Sequence, residues 1–315
     1  MVQAAKTAAT REALGPTLVK LAQEGLDIVV VDADLGVSTT AALFGKEFPE
    51  RFFTVGVAEQ NMVGVAAGLA ASGKIAFASS FAVFLPGHCF DQVRMAIAQP
   101  GLNVKLVASH GGVVTGEDGA SAQAIEDLAL MLSLPTFNVI VPADVIETEQ
   151  AIEVAARTHG PFYIRTVRPK IPVIHDSSYR FQLGKAELLH PGNDVTVMAS
   201  GVMVHVALEA AQLLAAEGIQ CRVLNMASHR PLDNEAVLTA ARETGAIVTA
   251  EDHYIFGGLG SLVSQVIASD HPVPMAFVGM ERYGTSGRWD ELLNYFDLTA
   301  ERIAREAKAV IARKG

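Results

Sequence analysis

The chain has 315 residues, half of them hydrophobic, and a formal net charge of −10. So much apolar sequence builds a large core and the length favours two domains, while the acidic balance leaves no basic surface for nucleic acid or an anionic membrane. Two cysteines, Cys89 and Cys221, suggest neither a disulfide framework nor a metal cluster, the N-terminus lacks the apolar core of a signal peptide, and no run approaches the ~20 apolar residues of a spanning helix; a soluble, cytoplasmic protein is expected.

β-branched runs alternate with helix-like stretches throughout, the rhythm of α/β units on mostly parallel sheets. The run 28–31 ends in Asp32-Ala33-Asp34, the run 104–107 in Ala108-Ser109-His110, and the run 138–141 in Pro142-Ala143-Asp144. Ligands of open α/β sheets bind outside the carboxyl ends of strands. Asp34, His110 and Asp144 are therefore candidates, although Asp34 and Asp144 read equally well as helix caps.

Between these strands lie segments with more polar chemistry than the fold needs. Residues 56–70, beginning Gly56-Val57-Ala58-Glu59-Gln60-Asn61, place Glu59 at the start of a helix of small apolar residues, where an acid also suits the helix dipole. Phe81 and Phe84 follow the strand 74–77, either as core or as the wall of a flat heterocycle. Residues 108–123 form a glycine-rich loop carrying His110, Glu117 and Asp118, the kind that hugs a ligand or a subunit. Glu117-Asp118-Gly119 with Asn138 mimics a diphosphate–magnesium motif, but its spacing is wrong and the second Asn is absent. In Ile164-Arg165-Thr166-Val167-Arg168-Pro169, Arg168 is suited to fork onto a phosphate. A second α/β rhythm begins near residue 183, with strands around 195–198, 220–224 and 246–250, loop-like segments 251–260 and 284–287, and a final helix over 300–312.

Ala9-Thr10-Arg11, residues 32–38, the Glu59 helix, the Phe81 and Phe84 pair, Gly116-Glu117-Asp118-Gly119 and Ser133-Leu134-Pro135 together resemble the pyrimidine-binding domain of the transketolase family. The remainder resembles that family's C-terminal domain. The resemblance implies a pyrimidine-binding domain over residues 1–182, a C-terminal domain over 183–315, and thiamine diphosphate as cofactor. It further implies that Glu59 bonds the aminopyrimidine nitrogen and activates the cofactor, that Phe81 and Phe84 wall the ring, and that Asp34 lies near it at a subunit contact. Arg11, Ser38, His110 and Arg168 would meet the sugar phosphate, and Asp118 the hydroxyl beside the ketone, making Glu59, His110 and Asp118 the catalytic set.

The implied reaction is reversible transfer of a two-carbon glycolaldehyde unit from a ketose phosphate to an aldose phosphate, in the pentose phosphate pathway. The family's diphosphate-binding domain has no counterpart here. A separate N-terminal subunit is therefore expected to bring it, together with Mg2+ or Ca2+, in a heterotetramer. Ala122 stands where the family usually has a second loop histidine, which helps bind the donor ketose. Three other readings stay open: the C-terminal part of a 1-deoxyxylulose-5-phosphate synthase, the β chain of a 2-oxo acid dehydrogenase, and a non-catalytic regulatory or scaffold subunit.

Overall fold

A computed structural model describes residues 6–314 of the chain. Two short strands, β1 (Thr7–Ala8) and β8 (Ile171–Pro172), pair antiparallel and tie the start of the first unit to its end. Between them run β2 (Ile28–Asp32), β3 (Phe52–Thr54), β4 (Ile75–Phe81), β5 (Val104–Ser109), β6 (Asn138–Ile140) and β7 (Phe162–Arg165). All six are parallel, in the spatial order β6-β7-β5-β4-β2-β3. The apolar run of β2 explains its place inside the sheet: Val29 and Val31 face one core and Ile28 and Val30 the other, so both faces of the strand are covered.

The second unit contains β9 (Glu187–His190), β10 (Val195–Ala199), β11 (Cys221–Asn225), β13 (Ile247–Tyr254) and β14 (Met275–Met280), ordered β14-β13-β10-β11-β9 with β9 antiparallel at one edge. Ser228–Arg230 (β12), although late in sequence, joins the first sheet as an antiparallel edge beside β6. The units also share a core. Val113, Val114 and Ile125 of the first half pack with Val197, Val248 and Ile303 of the second.

One segment differs from its sequence reading, and Asp144 takes one of its two. Glu251, Asp252 and His253 lie in strand β13 rather than in a loop, and all three are buried. The strand tolerates them because each is satisfied: Glu251 accepts from Leu259 N and Gly260 N, Asp252 from Val113 N and Val114 N, and His253 Nε2 from Ala129 N. Asp144 is a cap and not a ligand: its carboxylate accepts from Glu147 N at the start of helix Val145–Arg157, and from Ile174 N and His175 N.

Candidate active site

Glu59 opens helix Glu59–Ala71, which packs through Met62, Val63, Ala66, Ala67 and Ala70 against the first sheet. Small side chains let this helix lie close to its neighbours and fix its first turn. Glu59 is only 7% exposed, yet it borders a cavity of about 370 Å³ lined by Ala58, Gln60, Asn61 and His88. Its carboxylate lies 3.5 Å from His88 Nδ1. A carboxylate buried on its own element but open on one side is what a ring nitrogen of an incoming heterocycle requires.

From His88 an aromatic ladder runs inward. His88 stacks on Phe84 with centroids 5.0 Å apart, Phe84 on Phe81 at 5.7 Å, and Phe81 on His110 at 3.7 Å. Phe84 and His88 meet because they are one helical turn apart, His88 N donating to Phe84 O. Phe81 ends β4 and His110 follows β5, two strands paired side by side with Phe81 opposite Ser109. The ladder thus joins the Glu59 cavity to the glycine-rich loop. His88 lies outside the residues that the sequence motifs single out; its spacing of four from Phe84 is the signal that marks it.

The far end of the ladder is cationic. His110 is 2% exposed and holds a left-handed backbone, φ 62°. Its Nδ1 lies 2.8 Å from Ser109 Oγ and its carbonyl accepts from Thr115 Oγ1 at 2.7 Å, contacts that keep it in that uncommon conformation. Burial, then Arg11 and Arg168, push His110 down to about 3, so the ring is neutral at physiological pH and acts there as a hydrogen-bonding group. Arg11 donates to Ser38 O at 2.7 Å while its Nε has no hydrogen-bond partner among the described residues. Its pKa is lowered, first by burial and then by repulsion from Arg168.

Arg168 Nη1 donates to Thr115 O at 2.9 Å, Glu117 Oε2 at 3.1 Å and Asp118 Oδ1 at 3.4 Å. Those two carboxylates are largely exposed, and such pairs contribute little, so an anionic ligand can replace them. The structure therefore gathers Arg11, Ser38, His110, Asp118 and Arg168. It links Glu59, Phe84, Phe81 and His110 through His88. Asp34 stands apart: it is exposed, has φ 65°, and its N–H donates to Asp32 Oδ2 without capping a helix. Ala122 is buried, its N–H donating to Gly119 O.

Among the described residues, Glu147, His175 and Glu187 bring possible ligand atoms within 4.8 Å of one another. They are already matched. His175 Nδ1 lies 3.0 Å from Asp144 and Nε2 2.8 Å from Glu187, while Glu147 accepts from Ala143 N, Tyr179 Oη and Asn225 Nδ2. No helix is long and apolar enough to cross a membrane among these residues.

Residues 6–173 match the family model for the transketolase pyrimidine-binding domain and residues 184–303 that for the transketolase C-terminal domain. The chain is 44% identical to a putative transketolase C-terminal section of Methanocaldococcus jannaschii over 94% of each chain. It is 42% identical to a 6-deoxy-6-sulfo-D-fructose transketolase subunit of a Clostridium species, over 94% of this chain and 92% of that one. Among solved structures it is similar to a split-gene transketolase in an inactive β4 tetramer, with a TM-score of 0.91 and 47% identity over 98% of this chain and 100% of the other.

Proposed function

The chain belongs to the transketolase family, and from that premise we propose that it is the C-terminal subunit of a split, thiamine diphosphate-dependent transketolase. In this reading residues 1–182 bind the aminopyrimidine and residues 183–315 form the C-terminal domain. A separate N-terminal subunit brings the diphosphate site and its divalent metal, completing a heterotetramer. The reaction is transfer of a two-carbon glycolaldehyde unit between sugar phosphates, as in the pentose phosphate pathway.

One observation carries the proposal: a single aromatic ladder leads from the open face of Glu59 to the cationic cluster at His110, Arg11 and Arg168. A heterocycle at one end and an anion at the other are what this transfer needs held at a fixed separation. The residues fit the cofactor, since Glu59 offers its carboxylate to a cavity flanked by an aromatic face. When bound, thiamine diphosphate supplies the nucleophilic carbon. With the cofactor bound, Glu59 would exchange a proton with the aminopyrimidine nitrogen, Phe81 and Phe84 would wall the ring, Asp34 would lie at the subunit contact, Asp118 would meet the hydroxyl beside the donor's ketone, and Ser38, Arg11, Arg168 and neutral His110 would hold its anionic end.

The partner reading is supported by Val37 and Val57, which stand 89% and 80% exposed beside Ser38 and the Glu59 helix; apolar side chains beside a site open on one face suit coverage by another chain. Buried, unpaired Cys89 and Cys221 suit the cytoplasm.

Glu59→Gln tests the reading. In the complex with the N-terminal subunit it should reduce transfer at least about a hundredfold and leave assembly intact; near-normal transfer would remove Glu59 from its role. The Clostridium relative favours a second donor class, a ketose with a sulfonate at its anionic end. Competition between phosphorylated and sulfonated donors distinguishes them. Formation of deoxyxylulose phosphate from pyruvate and glyceraldehyde phosphate would instead reassign the chain to the synthase reading.

A further inference from the structure

The loop that carries His110 and Asp118 is built into the second unit. Val113 and Val114 are 0% and 1% exposed and belong to the core around Val197, Val248 and Ile303. Their N–H groups converge on one carboxylate, Asp252 of β13: Val113 N lies 2.9 Å from Oδ1 and Val114 N 3.3 Å from Oδ2. Asp252 is 3% exposed. The fit is close enough to dictate Gly112, where a Cβ would lie 1.8 Å from Asp252 Oδ2 and where φ is 80°. Arg165 supplies the compensating charge, donating to Asp252 O at 3.0 Å and to Asp127 Oδ2 at 2.9 Å.

The grip continues along the loop. Gln123 Nε2 bridges Gly116 O at 3.1 Å to Thr285 O at 2.8 Å, and Ser286 Oγ donates to Glu117 O at 2.6 Å. The residue after the Asp252-bound pair is Thr115, whose hydroxyl holds the His110 carbonyl and whose carbonyl accepts from Arg168. Asp252 is therefore connected to both His110 and Arg168 through three consecutive loop residues.

We propose that Asp252 is a positioning residue: through Val113 and Val114 it sets the loop so that His110, Asp118 and Arg168 face one anionic substrate. The C-terminal unit thereby acts on the site without touching the substrate. The proposal rests on the reading that this cluster binds the donor's anionic end.

Asp252→Asn keeps the shape but removes the charge, and turns either an amide N–H₂ or a weaker acceptor toward the two N–H groups. In the full chain alone, amide hydrogen exchange at Val113, Val114 and residues 115–118 should accelerate on the order of tenfold, the effect of losing one charge-assisted hydrogen bond, with β10 and β11 unchanged. In the complex with the N-terminal subunit, KM for a ketose phosphate should rise about tenfold, with kcat within about twofold and KM for the unphosphorylated ketose, which keeps only the Asp118 contact with this loop, rising by a smaller factor. Ser286→Ala, which deletes one hydrogen bond at an exposed position, should shift exchange near Glu117 in the same direction by a smaller factor.

Unchanged exchange in the loop, or an equal rise in KM for both ketoses, overturns the proposal. Uniform acceleration across the C-terminal unit does so too, since it marks a merely structural residue. If Asp252→Asn does not fold, Ser286→Ala decides by the same two readouts. Absence of transfer by the wild-type complex would sink the substrate reading, and the exchange comparison would still decide whether Asp252 holds the loop.

Discussion

Glu59 and His88 meet at the outer end of the aromatic ladder, Arg168 and His110 at the inner end, and the two ends differ in charge. Burial and two arginines keep His110 neutral, so the positive charge at the inner end is carried by Arg11 and Arg168. Those two repel, and a bound anion relieves the repulsion. Arg168→Gln should accordingly raise KM for phosphorylated donors roughly ten- to a hundredfold, with kcat little changed, the loss expected for a bidentate charged contact; steady-state kinetics with phosphorylated and unphosphorylated ketoses measure it. An equal effect on both would show that Arg168 binds something other than the anionic end. Residue identity was the most readable level of this site: Glu59, Phe81, Phe84, His110 and Arg168 stand out by type and by their position after strands or at a helix start. Asp252 did not, because an acid in the polar run Glu251-Asp252-His253 reads as a loop until the two N–H groups it accepts from, far away in sequence, are in place.

At the scale of elements, the connection between the units is held by a buried ion cluster. His175 follows β8 and sits between Asp144, which caps helix Val145–Arg157, and Glu187 at the start of β9. Burial opposes its charge, but bonds to Asp144 and Glu187 outweigh that and raise it to about 10 from the usual 6.5. Because the folded value lies above the unfolded one, the stabilisation is complete below about pH 6.5 and is lost as pH rises toward 10. His175→Gln should therefore lower the unfolding midpoint most near about pH 6, with the gap to wild type closing by about pH 10; a gap independent of pH would contradict the pairing. The sequence carried no signal for this cluster, whose members are local to three different elements. Strand lengths were underestimated for a related reason: β4 runs on to Phe81 and β13 to Tyr254 through polar residues that tertiary partners satisfy.

For the whole molecule, the α/β rhythm and the two units were legible from periodicity alone, since buried parallel strands read as apolar runs. The interlocking of the units was not. β12 crosses into the first sheet, and Val113 and Val114 cross into the second core; both are contacts between distant parts of the chain with no local pattern. That interlocking has a functional consequence, because the half bearing Glu59 cannot set its substrate loop without the half bearing Asp252. In the proposed function this chain presents half of a shared thiamine diphosphate site. Its most direct test is to titrate the purified chain with the N-terminal subunit carrying the diphosphate domain, in the presence of thiamine diphosphate and Mg2+, and to follow glycolaldehyde transfer from a ketose phosphate. No transfer is expected from the chain alone, and activity should rise to saturation at one partner per chain. Full transfer by the chain alone would contradict it, as would none at saturation.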